Sequence, residues 1–381
     1  MIFLADTLRI DAERKGTMTH SKEDQMKPQA QSTSHERIRT GAQVAVIGPG
    51  VFGRALASCA LQGGSTVTLL GLDEAALKDA RDEFGAQGEM NLLTMDEAGL
   101  SSLEGRRLDL IILAVPCQAL RSACTWLRTR LWPRLSLSNG KTSVLCAAKG
   151  IELETLKLPH EILDECLPPE AGKGLLSGPS FAKELHAGLP TAIVVASRDE
   201  DVKRVAEQLL HRPYFRVYGT DDVVGVEIGG AVKNVIATVA GVVDGLELGH
   251  NARAAVVTRG LGEMAQMGVA LGANPMTFLG LSGLGDLILT CTGDLSRNRR
   301  FGLTIARHSD RPMDQVLAEI GEVVEGYTTA RSAWLLSQRL KLDTPILKMA
   351  YQVLYEGRPV RDAVQHLLNR EQKGEFDWIS K

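Results

Sequence analysis

The chain reads as a doubly wound α/β sheet domain followed by an all-helical C-terminal domain, and three observations predict this. Short β-branched runs alternate with helical periodicity from residue 42 to Gly219, the first strand-to-helix turn is rich in glycine, and helical patterns with hardly a strand fill Val224 to Leu368. Gln43-Val-Ala-Val-Ile47 is the first predicted strand. It runs into Gly48-Pro-Gly-Val-Phe-Gly53, and Arg54 to Gln62 follows as an Ala-rich helix. Strand, glycine turn and helix in that order form the G-x-G-x-x-G fingerprint of a Rossmann-type dinucleotide site. Gly48 permits the tight turn, Gly50 lets backbone N–H groups approach a pyrophosphate, and Gly53 lets helix and strand pack closely. The helix N-terminus turns the positive end of its dipole toward that anion.

Further strands are predicted at Ser65–Leu70, Leu108–Val115, Thr142–Ala147, Gly174–Ser177, Thr191–Val195 and Tyr214–Tyr218, with helical stretches such as Asp73–Phe84 and Asp201–Leu210 between them. Strands alternating with helices call for a parallel sheet. Residues 1–41 are polar and read as a disordered extension, 42–223 as the dinucleotide-binding domain, 224–370 as an all-helical substrate domain and 371–381 as a tail. Open α/β sheets bind ligands at the carboxyl ends of their strands. Pro116, Lys149-Gly-Ile and Gly178-Pro-Ser-Phe-Ala182 follow predicted strands and should line one crevice with the glycine turn, which makes Lys149 and Ser180 candidate substrate contacts.

In the helical half, Lys233 and Asn234 stand inside the otherwise apolar run Val226–Val243. Burying an ammonium there costs several kcal/mol unless it is paired or its pKa falls, and a lysine shifted toward neutrality can exchange protons with a substrate. The alternative is a lysine with its stem on the core and its head in water. Farther on, Ser296-Arg-Asn-Arg-Arg-Phe-Gly302 suits a phosphate, because guanidinium forks bind oxyanions and the neutral groups add hydrogen bonds; a solvated basic turn is the plainer alternative.

Composition narrows the class. A chain of 381 residues suggests about two domains, and 43 basic against 46 acidic residues leave a net charge of −3, which points to small-molecule chemistry and away from nucleic acid. Six cysteines lack C-x-x-C pairs or histidines at ligand spacing, so no metal site is expected and reduced thiols in a cytoplasm are the default. The uncharged run Met264–Gly285 is interrupted by five glycines and Pro275 and reads as helix and loop, not a membrane span.

Taken together, the glycine fingerprint, Ala114-Val-Pro-Cys-Gln-Ala-Leu-Arg121, Ala148-Lys-Gly-Ile-Glu152, Gly178-Pro-Ser-Phe-Ala182, Glu227-Ile-Gly-Gly-Ala-Val-Lys-Asn234, Gly285-Asp-Leu-Ile-Leu-Thr-Cys-Thr292, Ser296-Arg-Asn-Arg-Arg-Phe-Gly302 and Val323-Val-Glu-Gly326 resemble bacterial-type NAD(P)-dependent glycerol-3-phosphate dehydrogenase over residues 42–368. The resemblance implies reversible hydride transfer between NAD or NADP and the carbon joining dihydroxyacetone phosphate and glycerol 3-phosphate, in a cytoplasmic enzyme, commonly a homodimer, that feeds phospholipid synthesis. It implies that Lys233 is proton donor and acceptor and that Lys149 touches both cofactor and substrate. Substrate contacts are implied for Gly178, Ser180, Asp286, Ser296, Arg297 and Asn298, and cofactor contacts for Val51, Phe52, Ala182, Arg297, Val323 and Glu325. Asp286 either positions Lys233 or binds a substrate hydroxyl.

The chain departs from the family after its second strand. Where the family often has Trp, a variable residue, then Arg or His, this sequence has Leu70-Gly71-Leu72. Without a cation at 72 the NADP phosphate loses a partner, and without an acid at 71 the NAD ribose loses its usual acceptor, which Asp73 replaces if the strand ends late. Val51 likewise stands where a small polar residue is usual.

Overall fold

Strands that are apolar on both faces need cover on both faces, and helices provide it in a parallel sheet. The computed structural model describes residues 41–84, 90–136, 141–308 and 311–369 together with 371 and 374, so the expectations for 1–40 and for 375–381 lie outside the described residues. Among the described residues eight strands form one sheet: β1 (Gln43–Ile47), β2 (Thr66–Gly71), β3 (Asn91–Thr94), β4 (Leu110–Leu113), β5 (Ser143–Cys146), β6 (Gly172–Ser177), β7 (Thr191–Ala196) and β8 (Phe215–Thr220). Their order is β3-β2-β1-β4-β5-β6-β7-β8. The order turns back between β1 and β4, the switch point where such sheets open a crevice at their strand ends.

Connections run through α1 (Val51–Gln62), α2 (Glu74–Phe84), α3 (Glu97–Ser101), α4 (Leu120–Trp126), α5 (Pro159–Cys166), α6 (Ala182–His186) and α7 (Glu200–Leu210). Side chains alternate across each strand, so Val44, Val46, Leu110 and Ile112 pack with Ala55 and Leu56 of α1 in one apolar cluster. Ala45, Ile47, Ile111 and Leu113 pack with Leu120 and Cys124 of α4 in another.

Three details differ from the sequence expectation. The strand β3 escaped it, being a four-residue edge strand whose residues are none of them fully buried. α1 begins at Val51, three residues early, because Gly50 serves as its N-cap. The sheet is not wholly parallel: β7 runs antiparallel to β6, with Leu176 opposite Val195. A parallel return needs a crossover that recrosses the sheet. Here the connection from Ser177 to Thr191 holds only the five-residue α6, which packs on α1, and the chain turns straight back.

After β8 the chain is helical: α8 (Val223–Gly245), α9 (Gly249–Ala270), α10 (Asp286–Thr292), α11 (Arg297–Arg307), α12 (Met313–Ile320), α13 (Glu325–Arg339), α14 (Pro345–Tyr355) and α15 (Val360–Leu368). Two short turns, Pro275–Leu279 and Leu281–Gly285, lead from α9 into α10 and take up much of the uncharged run 264–285. Among the described residues, α8 is the one helix long and apolar enough to cross a membrane, yet eighteen of its 23 residues are buried, which marks it as a core helix. It packs against α9, α10, α11, α13 and α14. Its contact with α11 is made backbone to backbone. A Cβ on Gly302 would stand 1.8 Å from the Thr238 carbonyl oxygen, and one on Gly241 would stand 2.0 Å from that of Arg299.

Gly302→Ala is therefore expected to force α11 off α8 and lower stability by about 1–3 kcal/mol, the range for overpacked cores. A urea unfolding midpoint indistinguishable from wild type would contradict the close approach.

Candidate active site at the strand ends

The glycine turn is shaped to hold an anion. Gly48 has φ +109°, and a Cβ there would lie 2.4 Å from the Ala114 carbonyl oxygen of the neighbouring strand end. Gly53 lets α1 pass over this turn, since its Cβ would stand 1.9 Å from the Gly48 oxygen. Gly50 has open space on its Cβ side and caps α1 with no side chain, so the first-turn N–H groups at Val51, Phe52 and Gly53 have no side-chain cap. Uncapped N–H groups at a positive helix end fit a pyrophosphate.

Across the crevice, Lys149 follows β5 and α8 presents Lys233, and one carboxylate joins them. Lys233 Nζ donates to Asp286 Oδ1 at 2.5 Å and to Thr290 Oγ1 at 3.0 Å. Lys149 Nζ donates to Asp286 Oδ2 at 2.7 Å and to the Gly178 carbonyl at 3.2 Å. Asp286 and Thr290 are one turn apart on α10, hence on one face, and Asp286 opens the helix where a negative charge is favoured. Ser180 Oγ shares the Gly178 carbonyl at 3.0 Å.

The Gly229-Gly230 pair brings these parts together. A Cβ on Gly229 would stand 2.4 Å from the Ser282 carbonyl oxygen, and one on Gly230 3.0 Å from Ser177 Oγ and 3.5 Å from the Lys149 stem. Larger residues would hold α8 away from both the strand ends and the turn before α10.

Two ammoniums and one carboxylate leave the cluster with a formal excess of one positive charge. Lys233 is 6% and Asp286 1% exposed, which excludes the surface-lysine alternative. Burial, with Lys149 nearby, lowers the Lys233 ammonium to about 8 against the opposing pull of Asp286. Burial alone would raise the Asp286 carboxyl, but Lys149 and Lys233 hold it below the usual range.

The other expected residues surround this centre. Ser296 caps α11, its Oγ accepting from the Arg299 N–H at 3.2 Å. Arg297 follows with a half-exposed side chain 3.1 Å from Glu322 Oε2. The Asn298 side chain is turned inward: its amide donates to Asn234 Oδ1 at 2.9 Å and its carbonyl accepts the Gly326 N–H at 2.8 Å. Glu325 opens α13, and its carboxylate accepts the Cys117 N–H at 3.0 Å, so the helical half is tied to the turn after β4. Burial raises its carboxyl, while that hydrogen bond and Arg297 oppose the rise. Val51 and Val323 are exposed, and Ala182 is the first residue of α6.

Lys149, Gly178, Ser180, Lys233 and Asp286 thus meet in one hydrogen-bonded cluster, whereas Arg297 pairs with Glu322 outside it. Sequence reasoning missed Thr290, the Asn234–Asn298 bond and the Glu325–Cys117 bond. The four-residue spacing of Asp286 and Thr290 was the available signal for the first.

Removing a partner from a buried ion pair leaves an uncompensated charge. Asp286→Ala, which leaves two ammoniums face to face, is expected to cost about 3–5 kcal/mol in urea unfolding at neutral pH. A loss below about 1 kcal/mol would mean that the lysines find water instead.

Residues 43–203 match the family model of the NAD-dependent glycerol-3-phosphate dehydrogenase N-terminus, and residues 222–365 that of its C-terminus. A glycerol-3-phosphate dehydrogenase (NAD(P)+) of Geobacter metallireducens is 44% identical over 346 residues, which cover 88% of this chain and 99% of the relative. One from Thiobacillus denitrificans is 49% identical over 268 residues, 70% of this chain and 79% of the relative. The crystal structure of glycerol-3-phosphate dehydrogenase from Coxiella burnetii is similar with a TM-score of 0.76 at 33% identity, covering 87% of this chain and all of the other.

Proposed function

This chain belongs to the NAD-dependent glycerol-3-phosphate dehydrogenase family, and from that premise we propose that Lys233 exchanges the proton and Asp286 and Lys149 hold the reacting oxygen's surroundings. The enzyme interconverts glycerol 3-phosphate and dihydroxyacetone phosphate with NAD or NADP. The observation that carries the residue roles is the single buried carboxylate with a different lysine on each oxygen.

When bound, the nicotinamide supplies or takes the hydride at C2 of the substrate. As hydride arrives, negative charge grows on the ketone oxygen, and an ammonium beside it stabilises that charge and then donates a proton. Lys233 serves as this donor because burial holds its pKa near neutrality, about 8. Lys149 remains the supporting cation. Asp286 aims both and offsets one of their charges, so of the two roles left open by the sequence, positioning is the one this geometry supports.

The remote phosphate meets the start of α11. Its takers are Arg297, which exchanges Glu322 for the phosphate, and the first-turn N–H groups behind Ser296. The inward turn of the Asn298 amide supports a positioning role there, with its backbone facing the anion. Gly178 and Ser180 border the substrate from the β6 end. Gly48, Gly50, Val51, Phe52 and Gly53 receive the pyrophosphate, and Lys149, Ala182, Arg297, Val323 and Glu325 complete the cofactor's surroundings. A cytoplasmic homodimer is the assembly carried over from the family resemblance.

Purified protein mixed with dihydroxyacetone phosphate is expected to oxidise NADH or NADPH. Lys233→Ala should lower kcat by about 10²–10⁴-fold, the usual contribution of a positioned general acid, while NADH titration by fluorescence stays at the wild-type affinity. Activity within tenfold of wild type would remove Lys233 from the role.

The sign of the pH dependence follows from the same ammonium. Ketone reduction needs Lys233 protonated, so kcat/KM should fall as pH rises through about 8; alcohol oxidation needs the neutral amine, so kcat/KM should rise through the same point. Parallel profiles in the two directions would contradict the assignment.

A further inference from the structure

In a Rossmann-type unit the adenosine ribose lies at the carboxyl end of the second strand, where an acid accepts from the 2′-hydroxyl or a cation meets a 2′-phosphate. In this chain β2 ends at Gly71, and packing closes that position to any longer side chain. A Cβ there would stand 2.8 Å from Leu77 Cγ and 3.3 Å from the ring of Pro49. Leu72 is 77% exposed and carries no charge. The first ionised group is Asp73. Its Oδ1 accepts the Ala76 N–H at 2.9 Å and so caps α2, while Oδ2 is the acceptor a ribose hydroxyl would use.

Acids follow directly on both strand ends, though Glu74 and Glu97 each have an arginine partner. Glu74 follows Asp73, and at the adjoining strand end Met95 N–H donates to the Gly71 carbonyl at 2.9 Å, just before Asp96 and Glu97. Neighbouring cations are committed. Arg54 donates to the Pro49 carbonyl at 2.9 Å and to Glu83 at 2.8 Å, Arg81 pairs with Glu74 at 2.7 Å, and Arg130 and Arg134 both pair with Glu97 at 2.7 Å. Lys78 lies a full turn into α2 from the strand end.

We infer that this end of β2 selects NAD over NADP, with Asp73 both as the ribose acceptor and, having no arginine on it among the described residues, as the repulsive element against a 2′-phosphate. The inference rests on the glycine turn being a dinucleotide site. The hydrogen bond to the 2′-hydroxyl and the repulsion of a 2′-phosphate by the same carboxylate act in one direction.

Calorimetric titration with ADP-ribose and with 2′-phospho-ADP-ribose tests this apart from turnover. Wild type should bind the unphosphorylated nucleotide at least ~10-fold more tightly, the scale of a like-charge penalty at a partly solvated site. Asp73→Asn keeps the helix cap, so its melting temperature should match wild type while the ratio narrows. Leu72→Arg should move the ratio toward the phosphorylated form, and the NADH to NADPH ratio of kcat/KM with dihydroxyacetone phosphate should follow the same order. Equal or tighter binding of 2′-phospho-ADP-ribose by wild type would overturn the inference while leaving the dinucleotide site standing. If neither nucleotide binds, the site itself fails and takes the inference with it.

Discussion

One carboxylate between two ammoniums is the constraint on which the rest depends. Asp286, Lys149 and Lys233 come from α10, the turn after β5 and the middle of α8, so each element must reach one small volume. That demand accounts for the glycines beside the cluster, because only residues without a side chain let three backbones approach so closely. It also accounts for α8 itself. A helix buried on nearly every side can keep polar residues only if each finds a partner. Glu227 accepts the His160 N–H at 2.5 Å, Lys233 has Asp286 and Thr290, and Asn234 has Asn298.

The two halves of the crevice are held by a second set of buried polar contacts. Glu325 grips the turn after β4, and the next residue, Gly326, donates to Asn298, which donates to Asn234 beside Lys233. A polar path therefore runs from the sheet through α13 and α11 into α8. Breaking it anywhere leaves a buried donor or acceptor without a partner, which costs more than the bond contributes when made.

Much of this was legible in the sequence. The glycine turn was, because strand, turn and helix are local and each glycine has a separate geometric reason. The oddity of Lys233 was also visible, since its neighbours are apolar, but its partner lies 53 residues away and only the folded chain brings Asp286 to it. The run Ser296–Arg300 read as a set of anion ligands because charge pattern is visible and side-chain direction is not. Folding turns Asn298 inward, where α8 and α13 offer it both a donor and an acceptor. The direction of β7 was likewise hidden, since alternation of apolar residues is the same whichever way a strand runs.

The Asn298–Asn234 bond carries one more consequence. It fixes the first turn of α11, proposed to receive the phosphate, at a set distance from the ammonium proposed to serve the ketone. The two ends of the substrate are then measured against a rigid gauge. A ketone one carbon longer or shorter, though able to seat its phosphate, would bring its oxygen to the wrong height beside Lys233, and an ångström of such error is enough to spoil alignment. Selectivity for a three-carbon skeleton would then be set by an amide pair that itself need never touch the substrate.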